Sequence, residues 1–193
     1  MSPKKVPVKP AECSRLLTTA PCMVITTVSA RGEVNAAAFG SYVVISPLVL
    51  CAVWPGHETY RNIRETGEFV INVPGRDQLD SIMIVSRDYP EGHNELPEAG
   101  LTELPALVVK PPRIAEYKAH VECRYCGERE VGSHLLVEGE MVAGSCDEGL
   151  FGPDGRFDVV MADVVHICRY PEPVYITAAS SGCVRGEATM EMP

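Results

Sequence analysis

The sequence lacks any apolar run near the roughly 20 residues that a membrane-crossing helix needs. Its first residues carry positive charge at Lys4 and Lys5, but the apolar segment that a secretion signal requires does not follow. We therefore expect a cytoplasmic protein with no membrane partner.

Positive charge is also scarce, since 17 Lys and Arg residues face 26 Asp and Glu residues and the net charge is −9. Nucleic-acid binding needs clustered cations that displace counterions from phosphates. Only Lys4, Lys5 and Lys9 lie close together in the chain, and three lysines are a poor cluster. No nucleic-acid partner is expected.

Three motif classes are missing or incomplete. Neither a Gly-x-Gly-x-x-Gly turn nor a Walker A lysine loop is present, which disfavours a dinucleotide-binding fold. Cys123 and Cys126 form the single Cys-x-x-Cys pair, whereas a zinc site usually needs four ligands. The pair lies in a β-rich run, where residues three apart face opposite sides. We predict no metal site and no redox role for it.

What is present describes one soluble globular domain. The chain has 193 residues, of which 46% are hydrophobic and 22% charged. Its eight cysteines are scattered, and Cys51 and Cys168 lie inside apolar runs, so we expect reduced and mostly buried thiols. We divide the chain into an N-terminal arm with a short helix (1–20), a main domain (21–175) and a C-terminal tail (176–193).

The first part of the chain reads as a short helix followed by a hairpin. Residues 10–20 predict a helix that ends before Pro21. Residues 23–29 are rich in β-branched side chains, and the turn that follows contains Gly32. This pattern predicts a β-hairpin into residues 34–42.

The next part alternates strands with short helices. Strands are predicted at 42–45 and 48–54 on either side of Ser46-Pro47, because proline favours a strand start or edge. Thr59 is expected to cap a helix of about two turns, and Gly67 suits the position just after its end. Residues 68–73 return to strand.

The second half is mostly β-structure after one more helix. Apolar spacing predicts a helix at 77–85, whereas residues 86–107 are crowded with Pro, Gly and acids and predict a long irregular segment. The remaining β-rich segments are 113–126 and 133–146, joined by a hairpin connection at 128–132, and 158–170. From residue 180 the chain is small and polar. Short strands at hairpin spacing predict a mainly β fold, an antiparallel barrel with short helical insertions.

Polar residues cluster at the ends of apolar strands between residues 34 and 74. Small residues there allow a planar ligand to approach the backbone, and a helix starting near Thr59 directs free N–H groups at an anion. A flat ring system with a phosphate tail would fit both features, and a bent strand followed by an ordinary capped helix is the alternative. The candidates are Asn35, Ala36, Ala37 and Ser41 around the small-residue run, then Trp54, His57, Thr59, Tyr60 and Asn62.

Several phrases, in order and spacing, resemble the flavin reductase-like, FMN-binding split-barrel family, in particular its flavoredoxin-like branch. The resemblance runs from about Pro21 to Tyr170. The phrases are PCMVITT (21–27), GEVNAA (32–37), SPLV (46–49), TYRNIRETGEFVINVP (59–74), GSHLLVEGE (132–140) and CRYPEPVY (168–175).

The resemblance implies a split β-barrel that binds FMN at the interface of a homodimer. Asn35, Ala36, Ala37 and Ser41 would then line the ring and ribityl chain of FMN. Trp54, His57, Thr59 and Asn62 would surround the phosphate, with Tyr60 beside them. Ser86 and Arg87 would close the site, with the Arg87 guanidinium matching phosphate oxygens.

His134 and the long loop before residue 97 also have equivalents in the family. His134 corresponds to a position near the flavin that meets nicotinamide or stabilises reduced flavin, and an ordinary strand-start histidine is the alternative. In the family branch the long loop ends in an Asp-Lys-Phe phrase, which is absent here. The equivalent stretch here is EGHNEL, residues 91–96.

Three functions remain open from the sequence. The first is an NADH- or NADPH-dependent flavin or ferric reductase that passes electrons through tightly bound FMN. The second is a flavoredoxin-like electron carrier that does not itself oxidise NAD(P)H, docking through complementary charge. The third is a split-barrel protein that binds a ligand other than flavin.

Overall fold

The computed structural model describes residues 7, 9, 19–153, 155–168 and 174–177. Twelve strands and two α-helices follow one another along these residues, and a 3-10 turn, Arg76–Gln78, leads into the second helix. The elements are β1 Thr19–Pro21, β2 Met23–Val28, β3 Val34–Phe39, β4 Tyr42–Ile45, β5 Leu48–Val53, α1 Glu58–Thr66, β6 Glu68–Val73, α2 Leu79–Val85, β7 Glu103–Leu104, β8 Arg113–Ile114, β9 Ala119–Val131, β10 His134–Cys146, β11 Val165–Cys168 and β12 Val174–Thr177.

Seven strands form one antiparallel sheet in the order β3-β2-β6-β9-β10-β5-β4. The longest pairing is the β9–β10 hairpin, whose register shifts at Glu138/Gly139 and again at Met141/Ala143. Such shifts bend a strand and help a sheet to curl. The strands β1, β11 and β12 form a second antiparallel sheet. The predicted mainly β, antiparallel fold is confirmed.

One face of the large sheet holds the main apolar core. Strands of β-branched and aromatic residues alternate inward and outward, so every second side chain can be removed from water. Gly139 lets the Phe69 ring approach β10, because a Cβ at that position would overlap the ring. The core includes Met23, Ile25, Phe39, Val49, Val53, Ile63, Phe69, Cys123 and Val137.

The first α-helix ends as predicted and begins differently. Gly67 closes α1 with φ of 74°, a left-handed conformation that glycine adopts without a Cβ penalty. The residue before the helix is His57, which makes no side-chain capping hydrogen bond. The prediction that Thr59 caps the helix is therefore wrong, because Thr59 lies inside the first turn and its hydroxyl is used elsewhere.

Other boundaries also differ from expectation. Of the helix predicted at 10–20, residues 10–18 lie outside the described part of the chain, and Thr19 and Ala20 belong to β1 because they pair with β11. Strand β9 continues to Val131, so the hairpin connection is a tight turn rather than the segment 128–132. Within 158–168 only Val165–Cys168 is a strand. The tail beyond residue 180 is outside the described residues.

Two further expectations are confirmed. The irregular segment predicted at 86–107 contains no helix, and its one strand is the two-residue β7, Glu103–Leu104. Cys123 is buried and Cys126 is exposed, as expected for residues on opposite strand faces. Within the ranges that the structure describes, no helix has the length and apolar character needed to cross a membrane.

Candidate functional site

A cavity of about 300 Å³ lies where β3, the start of α1 and the segment after α2 meet. Its size falls at the lower end of the range for small-molecule sites. The sequence brings these parts together only through folding, since the walls come from three separated stretches. The lining residues are Asn35, Ala37, Ala38, Phe39, Trp54, Gly56, His57, Glu58, Thr59, Arg61, Val85, Ser86, Arg87, Asp88, Tyr89, Glu91 and Glu95.

Strand β3 presents its unpaired edge to this cavity, because it is the terminal strand of the large sheet. The backbone N–H of Ala36 points to that edge and donates to Glu95 Oε2 at 2.7 Å. Backbone N–H groups alternate between the two edges of an antiparallel strand, so the N–H of Ala38 points to the same side. The small side chains of Ala37 and Ala38 leave room for a ligand against this edge.

Aromatic rings form a second wall. The His57 imidazole packs edge to face against Trp54, with ring centroids 5.4 Å apart, and against Phe39 at 6.3 Å. Burial lowers the pKa of His57, while the Asp88 carboxylate opposes that effect and His134 and Arg61 reinforce it. A neutral His57 is therefore favoured near pH 7, where it can accept or donate one hydrogen bond. Trp54 remains 48% exposed at the rim.

A buried polar network supports the floor of the cavity. Asn35 Nδ2 donates to Thr59 Oγ1 at 3.1 Å and to Thr27 Oγ1 at 3.3 Å. Asn62 Nδ2 donates to the same Thr27 hydroxyl at 3.1 Å. These bonds tie α1 to β2 and β3, so they hold the helix start at a fixed place beside the cavity.

The irregular segment closes the third side and is fastened to α1. The backbone N–H of Gly92 donates to Glu58 Oε2 at 3.1 Å, and Arg61 forms an ion pair with Glu91 at 3.2 Å. Farther along, the Tyr89 and His93 rings stack with centroids 4.5 Å apart and an interplanar angle of 7°. The wall is therefore a folded structure held by several contacts.

The structure gathers seven of the predicted residues around one cavity: Asn35, Ala37, Trp54, His57, Thr59, Ser86 and Arg87. Arg87 is exposed and its guanidinium lies 3.4 Å from Glu98 Oε1.

Five predicted residues are not among those that line this cavity. Ala36 is fully buried and packs in a core cluster with Val24 and Leu96. Tyr60 and Asn62 line a neighbouring cavity of about 590 Å³, together with Arg31 and Arg64. Ser41 is exposed at the end of β3, where its carbonyl accepts from Ala52 N–H. His134 is exposed at the start of β10 and bonds Ser133 Oγ at 3.0 Å.

Some lining residues were missed by sequence reasoning. Ala38 belongs to the small-residue run that was expected to admit a planar ligand, and the bulky Phe39 follows it directly. Tyr89 and Glu95 lie in an irregular segment rich in polar residues, and no local spacing distinguishes them. Glu95 is the most unexpected, because it is buried and bonded to a strand 59 residues away.

Comparisons with known proteins agree with this architecture. The family described as "Flavin reductase like domain" matches residues 15–162. An uncharacterized protein of Methanothermobacter thermautotrophicus is 33% identical over 151 residues, covering 74% of this chain and 71% of that protein.

Solved structures show the fold. Flavoredoxin of Desulfovibrio vulgaris superposes with a TM-score of 0.82 at 20% identity, covering 98% of this chain and 99% of its own. A split-barrel-domain protein of Shewanella frigidimarina gives a TM-score of 0.82 at 19% identity, covering 94% of each chain. The fold is therefore the split barrel that the sequence resemblance implied.

Proposed function

This chain belongs to the flavin reductase-like family, and from that premise we propose that it binds FMN in the cavity beside β3 and passes electrons through it as an NAD(P)H-dependent flavin or ferric reductase. The family supports a flavin-related redox function in general. The choice of FMN, of the donor and of the acceptor is our proposal.

The observation that carries the proposal is the terminal edge of β3, which lies against the cavity where the side chains of Ala37 and Ala38 are small. A flavin ring presents alternating acceptors and a donor along its pyrimidine side, which a strand edge can match. Ala37 and Ala38 leave space for the flat ring, and the Ala38 N–H is directed to the same edge. Trp54 adds an aromatic surface at the rim.

The phosphate end of FMN fits the side of the cavity near α1. Residues 56–59 enter the helix there, and the first-turn N–H groups of a helix favour anions. Arg87 lines the same cavity and offers a forked cation that suits phosphate oxygens. Thr59 and Asn62 support this end indirectly, because their side chains are bonded to Asn35 and Thr27.

The bound flavin would supply the redox chemistry, accepting a hydride from a reduced nicotinamide and giving up electrons to the acceptor. The side chains bind and orient. Burial lowers the pKa of His57, which favours an uncharged imidazole beside the Trp54 ring. For His134 we keep the role near the flavin that the family resemblance implies, although it does not line this cavity.

The first test is binding and colour. We expect the purified protein to carry a yellow chromophore that survives desalting, or to take up added FMN, and to bleach rapidly under anaerobic NADH or NADPH. A colourless protein that takes up no FMN would overturn the proposal and would favour a different ligand.

A variant pair tests the phosphate position. Arg87→Met should weaken FMN binding about ten- to a hundredfold, since a charge-assisted hydrogen bond is worth about 1.5–3 kcal/mol. Riboflavin binding should change little, because riboflavin has no phosphate. Arg129→Met, an exposed arginine near the far end of β9, is the control and should leave both affinities unchanged.

We also propose a homodimer, which the family resemblance implies. The supporting observation is β4, the other terminal strand of the large sheet, where Val43, Val44 and Ile45 are 57%, 55% and 62% exposed. Consecutive exposed apolar residues on a sheet edge favour association. Val44→Lys should shift the mass measured by light scattering from dimer towards monomer, and an unchanged dimer would place the interface elsewhere.

A flavoredoxin-like electron carrier is the second candidate. The net charge of −9 suits docking to a basic redox partner. Bound flavin that dithionite reduces while NADH and NADPH do not would favour the carrier over the reductase. We place either activity in the cytoplasm, as the scattered cysteines of the sequence led us to expect.

A further inference from the structure

The lining of the cavity contains a buried carboxyl group that the proposed function does not use. Glu95 is only 6% exposed, although it lies in the irregular segment between α2 and β7. Its Oε2 accepts the Ala36 N–H at 2.7 Å. The same side chain lines the cavity. When it is ionised, Glu95 therefore places a negative charge at the edge of β3, where a ligand would lie.

The surrounding cations are committed to other acids. Arg61 pairs with Glu91, and Arg87 pairs with Glu98. Among the ion pairs of the described residues, none includes Glu95. Other titratable or charged groups line the same cavity: His57 before α1, Glu58 and Arg61 in α1, and Arg87, Asp88, Tyr89 and Glu91 in the segment that contains Glu95. Glu58 and His93 act electrostatically on Glu95. Strand β3 contributes no charged side chain.

The groups around Glu95 together raise the pKa of its carboxyl group, so they disfavour negative charge at this place. Burial raises the pKa of Glu95, and the nearby Glu58 carboxylate raises it further. The Ala36 N–H and His93 act in the opposite direction. The Ala36 hydrogen bond keeps the carboxylate in place, but the low dielectric of the cavity wall leaves its field poorly screened.

We propose that Glu95 is a positioning and tuning residue that lowers the reduction potential of the flavin bound beside β3. This inference rests on the proposed function. Reduction adds two electrons and one proton to a neutral oxidised ring, so the reduced ring carries one negative charge. A buried carboxylate at the wall destabilises that charged form relative to the neutral one. A flavin with a lowered potential is a stronger electron donor to its acceptor.

The test separates the charge of Glu95 from its hydrogen bond. In Glu95→Gln, the amide oxygen can still accept from Ala36 N–H while the charge is gone. We expect the midpoint potential of bound FMN at pH 7 to rise by about 30 mV or more, which is a tenfold preference for the reduced form in a two-electron couple. The control Glu103→Gln removes an exposed carboxylate on β7 and should leave the potential unchanged.

A second measurement uses the wild-type protein. As pH falls and Glu95 takes up a proton, the potential of the wild type should approach that of Glu95→Gln. If Glu95→Gln fails to fold, Glu95→Met, which is neutral and of similar length, should show the same rise.

The outcomes distinguish the two proposals. A protein that binds no FMN under any condition overturns the proposed function and this inference with it. A protein that binds FMN with equal potentials in the wild type and the neutral Glu95 variants overturns the inference alone, as does a rise of the same size in Glu103→Gln.

Discussion

The hydrogen bond between Asn35 and Thr59 is the contact that joins the helix start to β3, and replacing Thr59 by Val removes it without changing the side-chain shape. Thr59 is 1% exposed, and its hydroxyl accepts from Asn35 Nδ2 at 3.1 Å. Without this acceptor, the Asn35 amide keeps Thr27 as a partner at 3.3 Å. The amide therefore loses one hydrogen bond and stays partly satisfied.

The cost follows from that loss. A buried polar group left short of a partner costs about 1–3 kcal/mol, and the remaining Thr27 bond places this case near 1–2 kcal/mol. For a chain of this length, each kcal/mol lowers the melting temperature by roughly 2–4 °C. We expect Thr59→Val to melt about 2–8 °C below the wild type.

The contribution of the Asn35–Thr59 hydrogen bond is isolated by measuring Thr59→Val in the wild type and in an Asn35→Ala variant. In an Asn35→Ala background the donor is already gone, so Thr59→Val should cost little further stability. Thr66→Val is the matched control, because the Thr66 hydroxyl donates to Asn62 O at 2.8 Å and does not contact Asn35. Its cost should be equal in both backgrounds.

Thermal denaturation of the four Thr59 and Asn35 combinations measures the coupling. A Thr59→Val cost that is the same with and without Asn35 would refute the reasoning. FMN and riboflavin titrations of Thr59→Val add a separate result: a loss of FMN affinity alone would place the Thr59 hydroxyl on the phosphate.

Three further predictions concern stability and pH. Gly67→Ala should lower the free energy of unfolding by about 1–2 kcal/mol in urea titrations, because φ is 74° there and a residue with a Cβ is strained in that conformation. No atom crowds the new Cβ, so the backbone conformation is the whole cost. Gly144→Ala should be near neutral, because Gly144 does not have a positive φ. Burial lowers the pKa of His120, so below about pH 6.5 the unfolded chain binds a proton more readily than the folded chain does. The free energy of unfolding should therefore fall as pH drops below about 6.5, and it should fall less steeply in His120→Gln. Asn72→Asp should cost about 3–5 kcal/mol at pH 7 in the same titrations, because the Asn72 amide donates to the Val24 and Val70 carbonyls at 3.1 and 3.3 Å and a carboxylate cannot.

Local features of the sequence were enough to locate most of the regular structure. The β-branched runs at β2 and β6 and the glycine after α1 act within a few residues of themselves, so their effects do not depend on the rest of the fold. The same holds for the split between buried Cys123 and exposed Cys126, which follows from strand geometry. The family phrases added the barrel topology, because spacing alone does not specify which strands pair.

The candidate cavity was only partly visible from the sequence. The residues near the β3 and α1 ends were identified because small and polar types stand close together there. The cavity lining depended on tertiary packing: Ala37 and Ala38 line the cavity, whereas Ala36 is buried in a core cluster and its N–H is bonded to Glu95. The sequence predicted Thr59 as the helix cap, but Thr59 lies inside the first turn of α1 and its buried hydroxyl accepts a hydrogen bond from Asn35.

Composition and local pattern determined that this chain would be a mainly β, acidic protein with a small-residue strand leading to a short helix, since these properties come from neighbouring residues. Tertiary structure decided that Glu95 lies against Ala36. Closing a segment of 59 residues onto a strand edge requires the whole barrel to form, and no local preference specifies that contact. The place of Glu95 in the cavity wall therefore could not be predicted from the sequence.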